Sequence, residues 1–102
     1  MAYLNRTTKQ WQEIDTAHHL HPFTDYKSLA KEGSIIVTKA DGVHLTTSDD
    51  KQLLDAMSGL WCVNVGYGRK RLADVAYKQM QELPYYNSFF KTATPPSIEL
   101  AK

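Results

Sequence analysis

The chain has 102 residues, which is room for one domain at most, and its 42% hydrophobic and 11% aromatic residues supply material for a core. Its formal net charge of +1 gives no reason to expect nucleic acid or an anionic membrane as a partner. No apolar run approaches the roughly 20 residues of a membrane helix, and the polar N-terminus lacks a signal-peptide core. The single cysteine excludes an internal disulfide. Together these features favour the cytoplasm.

The first predicted element is a helix over residues 7–18. Thr7 and Gln10 have the spacing of a capping box, and Trp11 and Ile14 share one apolar face. The helix should end near the histidines, because Pro22 cannot continue it. Residues 21–25 are predicted to be extended or turn-like, since the residue before a proline avoids the helical region.

A histidine cluster follows this helix and is a candidate metal site. It consists of His18, His19 and His21, with Asp25 close in sequence. No second group of ligand-type residues matches it elsewhere in the chain. Interaction with free carbonyls at the helix end is therefore favoured over metal binding.

Three short strands are predicted next, over residues 34–38, 43–47 and 52–55. Tight turns at Asp41-Gly42 and at residues 48–51 would join them into an antiparallel meander. One face of this sheet is predicted to form the core. Its members would be Ile35 or Ile36, Val43, Leu45, and one of Leu53 and Leu54.

Residues 56–68 contain three glycines and few charges, and we interpret them as a partly buried loop. Cys62 has apolar neighbours, which favours a buried thiol over a reactive one. Trp61 is either a core residue or the wall of a small-molecule pocket. The pattern alone favours the core.

In the last third of the chain, the pattern predicts a helix over residues 69–83 that ends at Pro84. We interpret its basic first turn as exposed to solvent and not as a phosphate-binding loop. An aromatic loop, Tyr85–Phe90, follows it. A second helix begins at Thr94, with Pro95 in its first turn. A helix of about two turns is marginal by itself, and the aromatic loop would expose a large apolar patch. Both features lead us to expect that the natural chain continues past Lys102.

Four segments together resemble the beginning of the class III ω-aminotransferases, in the right order and spacing. They are His18–Asp25, Asp41–Val43, Gly59–Gly68 and Gln81–Lys91. The resemblance covers the chain from about Thr8 to its last residue. It is strongest for the subgroup of ω-amino acid–pyruvate and amine–pyruvate transaminases.

This resemblance implies an α+β fragment of a fold type I α/β enzyme that uses pyridoxal phosphate. Residues 1–68, with the meander and the pocket loop, would belong to the small domain, and residues 69–102 would lead into the large cofactor-binding domain. Family members are homodimers or higher homo-oligomers and are several times longer. Their Schiff-base lysine and their cofactor contacts lie beyond the part that this chain matches. No catalytic, cofactor-binding or metal-binding residue is therefore expected in this chain.

The resemblance also implies four substrate-binding residues. Trp61 corresponds to a pocket wall against the side group of the substrate, and Leu60 and Phe23 resemble further wall positions. Phe89 matches an aromatic residue that the family presents to the neighbouring subunit's site. For Trp61, this reverses the preference for a core position.

The implied reaction transfers an amino group from an ω-amino acid or amine to pyruvate. The isolated chain is expected to be inactive. The alternative is a truncated, non-enzymatic paralogue that pairs through its aromatic loop, either with itself or with a full-length subunit.

Overall fold

A computed structural model describes residues 5–102 as a small α+β structure with five helices and one antiparallel sheet. The elements are α1 (Thr8–His18), α2 (Tyr26–Glu32), β1 (Val37–Asp41), β2 (His44–Thr47), β3 (Gln52–Leu54), α3 (Ser58–Trp61), α4 (Lys70–Glu82) and α5 (Pro95–Ala101). The chain divides after Gly68 into two compact units. The assignment of these units to a small and a large domain stays a prediction.

The three-stranded meander is confirmed, with β2 between β1 and β3. The first strand lies further along the chain than predicted. The Ser34 carbonyl accepts a hydrogen bond of 2.9 Å from Gln12 Nε2 on α1. Ser34 is therefore bonded to the first helix and does not begin the strand. Asp41 pairs with His44, which makes Gly42 and Val43 a two-residue loop with Gly42 at φ 55°.

The first helix ends at the predicted residue, and its capping box is confirmed. The Gln10 amide donates to Thr7 Oγ1 at 3.3 Å, and the Thr7 amide donates to Gln10 Oε1 at 2.9 Å. The second helix, α2, was not predicted. Its local signals are Asp25, whose carboxylate accepts from the Lys27 amide at 3.0 Å, and Gly33, which ends the helix at φ 75°.

The two helices of the second unit agree with the prediction. The helix predicted for residues 69–83 spans Lys70–Glu82, and Thr94 caps α5 with a proline in its first turn. The basic first turn of α4 is exposed, and Lys70 forms an ion pair of 2.7 Å with Asp74.

No hydrophobic side chain is buried among residues 5–102, and the predicted core face is wrong in this respect. Ile36 and Leu45 are half-buried, whereas Val43 and Leu54 are exposed. A short three-stranded sheet cannot enclose side chains without a second layer against its face. The one buried residue in this described range is polar: Thr47 is 4% exposed. None of the helices in this part of the chain is long and apolar enough to span a membrane.

Candidate functional site

The glycine-rich segment after β3 contains a left-handed turn, so describing it as a loop without a regular element was wrong. Four successive residues of α3 have positive φ: Ser58 (52°), Gly59 (59°), Leu60 (64°) and Trp61 (65°). Left-handed backbone costs a residue with a side chain roughly 1–2 kcal/mol, and usually only single residues adopt it. Contacts around the turn must therefore stabilise it.

Asp55 and Tyr67 supply these contacts. One oxygen of Asp55, Oδ2, accepts hydrogen bonds from the Gly59 amide at 2.8 Å and from the Tyr67 hydroxyl at 2.7 Å. The Ser58 hydroxyl donates to the Val63 carbonyl at 2.9 Å. The hydrogen bond to Asp55 raises the pKa of Tyr67, so the phenol stays protonated and remains a donor.

The segment is joined to the meander at Gly42. The Tyr67 amide donates to the Gly42 carbonyl at 2.8 Å, and the Gly42 amide donates back to the Tyr67 carbonyl at 3.2 Å. A side chain at Gly66 would bring its Cβ to 2.8 Å from the Gly42 carbonyl oxygen. Glycine at this position permits the close approach of the two backbones.

The left-handed turn presents Leu60 and Trp61 to solvent. Trp61 is 82% exposed and Leu60 is 61% exposed, so neither is a core residue in this part of the chain. Cys62 is also exposed, and the prediction of a buried thiol was wrong. The reason is that nothing among the described residues covers the turn.

Phe23 lies in the connection between α1 and α2 and is fully exposed, with φ 49°. The Tyr26 hydroxyl donates to the His21 carbonyl at 2.7 Å and fixes this connection. Phe23 lines an open groove with His21, Asp25, Leu29 and Ile35, to which Leu60 and Trp61 do not contribute. This groove therefore contains only one of the three predicted residues.

Phe89 belongs to the second unit. Its amide donates to Asn87 Oδ1 at 2.9 Å, and its carbonyl accepts from the Thr92 hydroxyl at 2.6 Å. Its ring meets the Phe90 ring edge to face at 6.4 Å between centroids, and both rings are exposed. Hydrogen bonds thus order the backbone of the aromatic loop while its rings stay uncovered in the described residues.

The histidine cluster is organised by Asp15, which the sequence did not single out. The rings of His19 and His21 lie 2.9 and 2.8 Å from different oxygens of this carboxylate. Two imidazole nitrogens and a carboxylate are donors that a transition metal accepts. The two contacts with Asp15 have hydrogen-bond geometry. The sequence had instead predicted that the histidines interact with free carbonyls at the helix end. His18 takes no part in this cluster.

The environment of Asp15 favours its charged form. The hydroxyl of Ser34 is buried and lies beside the carboxylate, although it meets no partner with full hydrogen-bond geometry. Its proximity, followed by hydrogen bonds from His19 and His21, lowers the pKa of Asp15 from 3.8 to about 2. A lowered pKa means that the folded state stabilises the charged form of Asp15 more than its protonated form.

We expect Asp15→Asn to lower the stability of the full-length protein by about 1–2 kcal/mol at neutral pH. The contribution of the carboxylate is present above its unfolded pKa of about 4 and is lost as the pH falls towards 2. The difference in Tm between wild type and variant should therefore shrink as the pH falls from 6 to 3. Asp74→Asn is the control, because this exposed partner of Lys70 should contribute less than about 0.5 kcal/mol. A Tm difference for Asp15→Asn that grows towards acid would contradict the assignment.

The model of the family described as "Aminotransferase class-III" matches residues 27–101, which is most of the chain. The chain belongs to the class III aminotransferases. It is similar to the putrescine–pyruvate aminotransferase of Pseudomonas aeruginosa, with 57% identity over 96% of this chain and 22% of that protein. The chain therefore spans about a fifth of the length of this relative.

Solved structures of ω-transaminases are similar to this class III chain. An (S)-enantioselective ω-transaminase from Thermomicrobium roseum has a TM-score of 0.89 and 40% identity, over 94% of this chain and 22% of that one. A thermostable ω-transaminase engineered for bulky amines has a TM-score of 0.83 and 31% identity, over 88% of this chain and 20% of that one. Its substitutions replace a tryptophan by methionine, a phenylalanine by leucine and an arginine by leucine.

Class III aminotransferases depend on pyridoxal phosphate, and no lysine of this chain has the environment that a Schiff base with this cofactor requires. A Schiff-base lysine needs a sheltered site that lowers its pKa. All nine lysines of this chain are exposed. Lys51 has a raised pKa, because its ammonium donates to Asp49, which is the opposite of what a nucleophilic amine requires.

The sequence interpretation missed Asp55 and Tyr67. The available signal was the spacing of Asp55 four residues before Gly59, from which a carboxylate can reach the amide of the turn. The contribution of Tyr67 had no local signal, because its hydroxyl reaches a residue 12 positions earlier.

Proposed function

We propose that the full-length protein is a pyridoxal-phosphate-dependent transaminase that moves an amino group from an amine or ω-amino acid to pyruvate. The observation that carries this proposal is the 57% identity with the putrescine–pyruvate aminotransferase over nearly the whole chain. Related ω-transaminases support the same reaction class. The cofactor supplies the electron-withdrawing group that the reaction needs. The residues of this chain contribute to substrate recognition.

We propose that Leu60, Trp61 and Phe23 are walls of the amine pocket, and that Phe89 is presented to the corresponding pocket of the neighbouring subunit. All four are exposed, although three of them are aromatic and all are apolar. Ligand pockets are lined mainly by such side chains. In the engineered ω-transaminase, the replaced tryptophan and phenylalanine have the same separation along the chain as Trp61 and Phe89. This agreement supports the assignment of Trp61 and Phe89 to the substrate pocket.

Walls of this kind act by shape and by exclusion of water. The indole of Trp61 would limit the length and width of the side group that the amine carries. Phe23 and Leu60 would shield apolar parts of the substrate, whose burial contributes about 25 cal/mol per Å². No residue of this set carries a group that can transfer a proton. Their effect is therefore expected in specificity more than in the chemical step.

We also propose the fold type I architecture and a homodimer or higher homo-oligomer for the full-length protein. Residues 1–68 would then belong to the small domain, and residues 69–102 would lead into the large one. The exposed aromatic loop supports an interface, because a patch of four aromatic side chains requires a covering surface. The uncovered apolar face of α4, with Leu72, Val75 and Met80, supports packing against the rest of the protein.

The test is to supply the full-length protein with putrescine or another short amine, pyruvate and pyridoxal phosphate. We expect formation of alanine and a lysine adduct that borohydride reduces. The 102-residue chain should give neither, because its nine lysines are exposed. Alanine is quantified by chromatography, and the adduct by mass spectrometry of the reduced protein.

Two results would contradict this proposal. The first is a full-length protein that binds the cofactor but forms no alanine with any amine donor. The second is a stoichiometric lysine adduct with activity in the 102-residue chain. The alternative of a non-enzymatic paralogue and the cytoplasmic location stay predictions.

A further inference from the structure

We infer that Asp55 and Tyr67 are positioning residues that set the size limit of the amine pocket, because they hold the left-handed turn that carries Leu60 and Trp61. This inference rests on the proposed function, in which Trp61 is a pocket wall. It goes further by assigning the orientation of that wall to two residues that are not expected to touch the substrate.

The carboxylate of Asp55 is fixed to the sheet from which the turn departs. Asp55 directly follows β3, and its amide donates to the Val43 carbonyl at 2.9 Å. Its Oδ2 then accepts the Gly59 amide at 2.8 Å inside the turn and the Tyr67 hydroxyl at 2.7 Å beyond it. A single oxygen therefore connects both sides of the segment that contains the proposed wall.

Tyr67 is fixed independently of Asp55. Its amide and carbonyl pair with the backbone of Gly42 in the β1–β2 loop. The ring also lies close to the turn, since a Cβ on Gly59 would be 2.9 Å from the Tyr67 hydroxyl oxygen. Asp55 and Tyr67 thus connect the turn to the end of β3 and to adjacent residues, Val43 and Gly42, of the β1–β2 loop.

The left-handed backbone requires such connections. Leu60 and Trp61 have φ of 64° and 65°, which residues with a side chain avoid unless other contacts hold them there. A change in the sign of φ redirects the bond from Cα to Cβ. Loss of the hydrogen bonds would allow other backbone conformations, and the Trp61 indole would no longer occupy one position. The pocket would then admit larger amines and fit small ones less well.

The experiment measures kcat/KM of the full-length enzyme for a short amine and for an amine with a bulky side group, and uses their ratio. The active fraction of the enzyme cancels in this ratio, so partial unfolding alone leaves it unchanged. We expect Tyr67→Phe to change the ratio in favour of the bulky amine by about 3-fold and Asp55→Ala by about 10-fold, as expected for the loss of one and of two hydrogen bonds. The KM of the short amine should rise more than its kcat falls.

Two variants are matched controls. Tyr77→Phe removes a tyrosine hydroxyl that accepts from Gln81 on α4, and Asp49→Ala removes a carboxylate that accepts from Thr47 and pairs with Lys51 in the β2–β3 turn. Neither touches the left-handed turn, so both should leave the ratio unchanged.

A double-variant cycle separates this inference from the proposed function. If Asp55 and Tyr67 act through the indole, Asp55→Ala and Tyr67→Phe should have no further effect on the ratio in a Trp61→Ala background. If Trp61→Ala changes the ratio but Asp55→Ala and Tyr67→Phe do not, the inference is wrong and the pocket wall stands. If Trp61→Ala leaves the ratio unchanged, both the wall and the positioning role are wrong. A full-length protein without transaminase activity contradicts the proposed function itself.

Discussion

Replacing Trp61 with glycine in the full-length protein should raise kcat/KM for bulky amines relative to short ones by about 10-fold or more. A difference of one methylene between two substrates changes kcat/KM by about 10- to 200-fold in an apolar pocket. The indole that the substitution removes is much larger than one methylene. The variant should keep its stability, because Trp61 has φ 65° and glycine adopts this conformation without a steric penalty. Activity is measured with a series of amines of increasing size, and stability as Tm.

Trp11→Ala is the matched control for this prediction. Trp11 lies on α1, half-buried, with the Arg6 guanidinium 5.0 Å from its ring. Its removal should reduce stability through lost packing, without a change in amine preference. The assignment of Trp61 as a wall would be refuted if Trp61→Gly left the preference unchanged, or if Trp11→Ala changed it equally.

We expect Gly66→Ala to be strongly destabilising, by about 2–4 kcal/mol. Two effects add at this position. Gly66 has φ 80°, and a Cβ there would lie 2.8 Å from the Gly42 carbonyl oxygen, which is backbone and cannot move without breaking the contact with Tyr67. The measurement is the Tm of the full-length variant, together with its amine preference, since the turn is joined to the meander through this contact.

Gly42→Ala separates the two effects. Gly42 has φ 55°, but a Cβ there meets no atom within 4 Å. Its substitution should cost only the backbone strain, about 1–2 kcal/mol. If the two alanine variants lost equal stability, the close approach of Gly66 to Gly42 would contribute nothing, and the account of this contact would be wrong.

Local signals in the sequence were sufficient for most elements. The capping box of Thr7 and Gln10, the helix before Pro84 and the cap at Thr94 were predictable because each depends on residues within one or two turns. The meander was predictable from three short apolar runs separated by turn residues. The second helix was not predicted, because it has only seven residues. A helix this short repeats its apolar pattern too few times to be distinguished from an irregular segment.

The burial of side chains was not predictable from the same patterns. Val43 and Leu54 have the residue types of a core, yet they are exposed here, because burial depends on what another part of the protein places against the sheet. The chain spans about a fifth of the relatives that it matches, and no layer among residues 5–102 covers its apolar faces.

The sequence by itself determined the family, because Gly59–Gly68 and its neighbouring segments keep the order and spacing of class III aminotransferases. Only the tertiary structure decided how Trp61 is held. The positive φ of α3 depends on a carboxylate four residues before Gly59 and on a hydroxyl eight residues after it, and that hydroxyl is fixed by a backbone contact with Gly42. Such a turn is stable only when contacts distant in sequence outweigh the intrinsic preference of each residue for negative φ, and that balance is set by the folded chain.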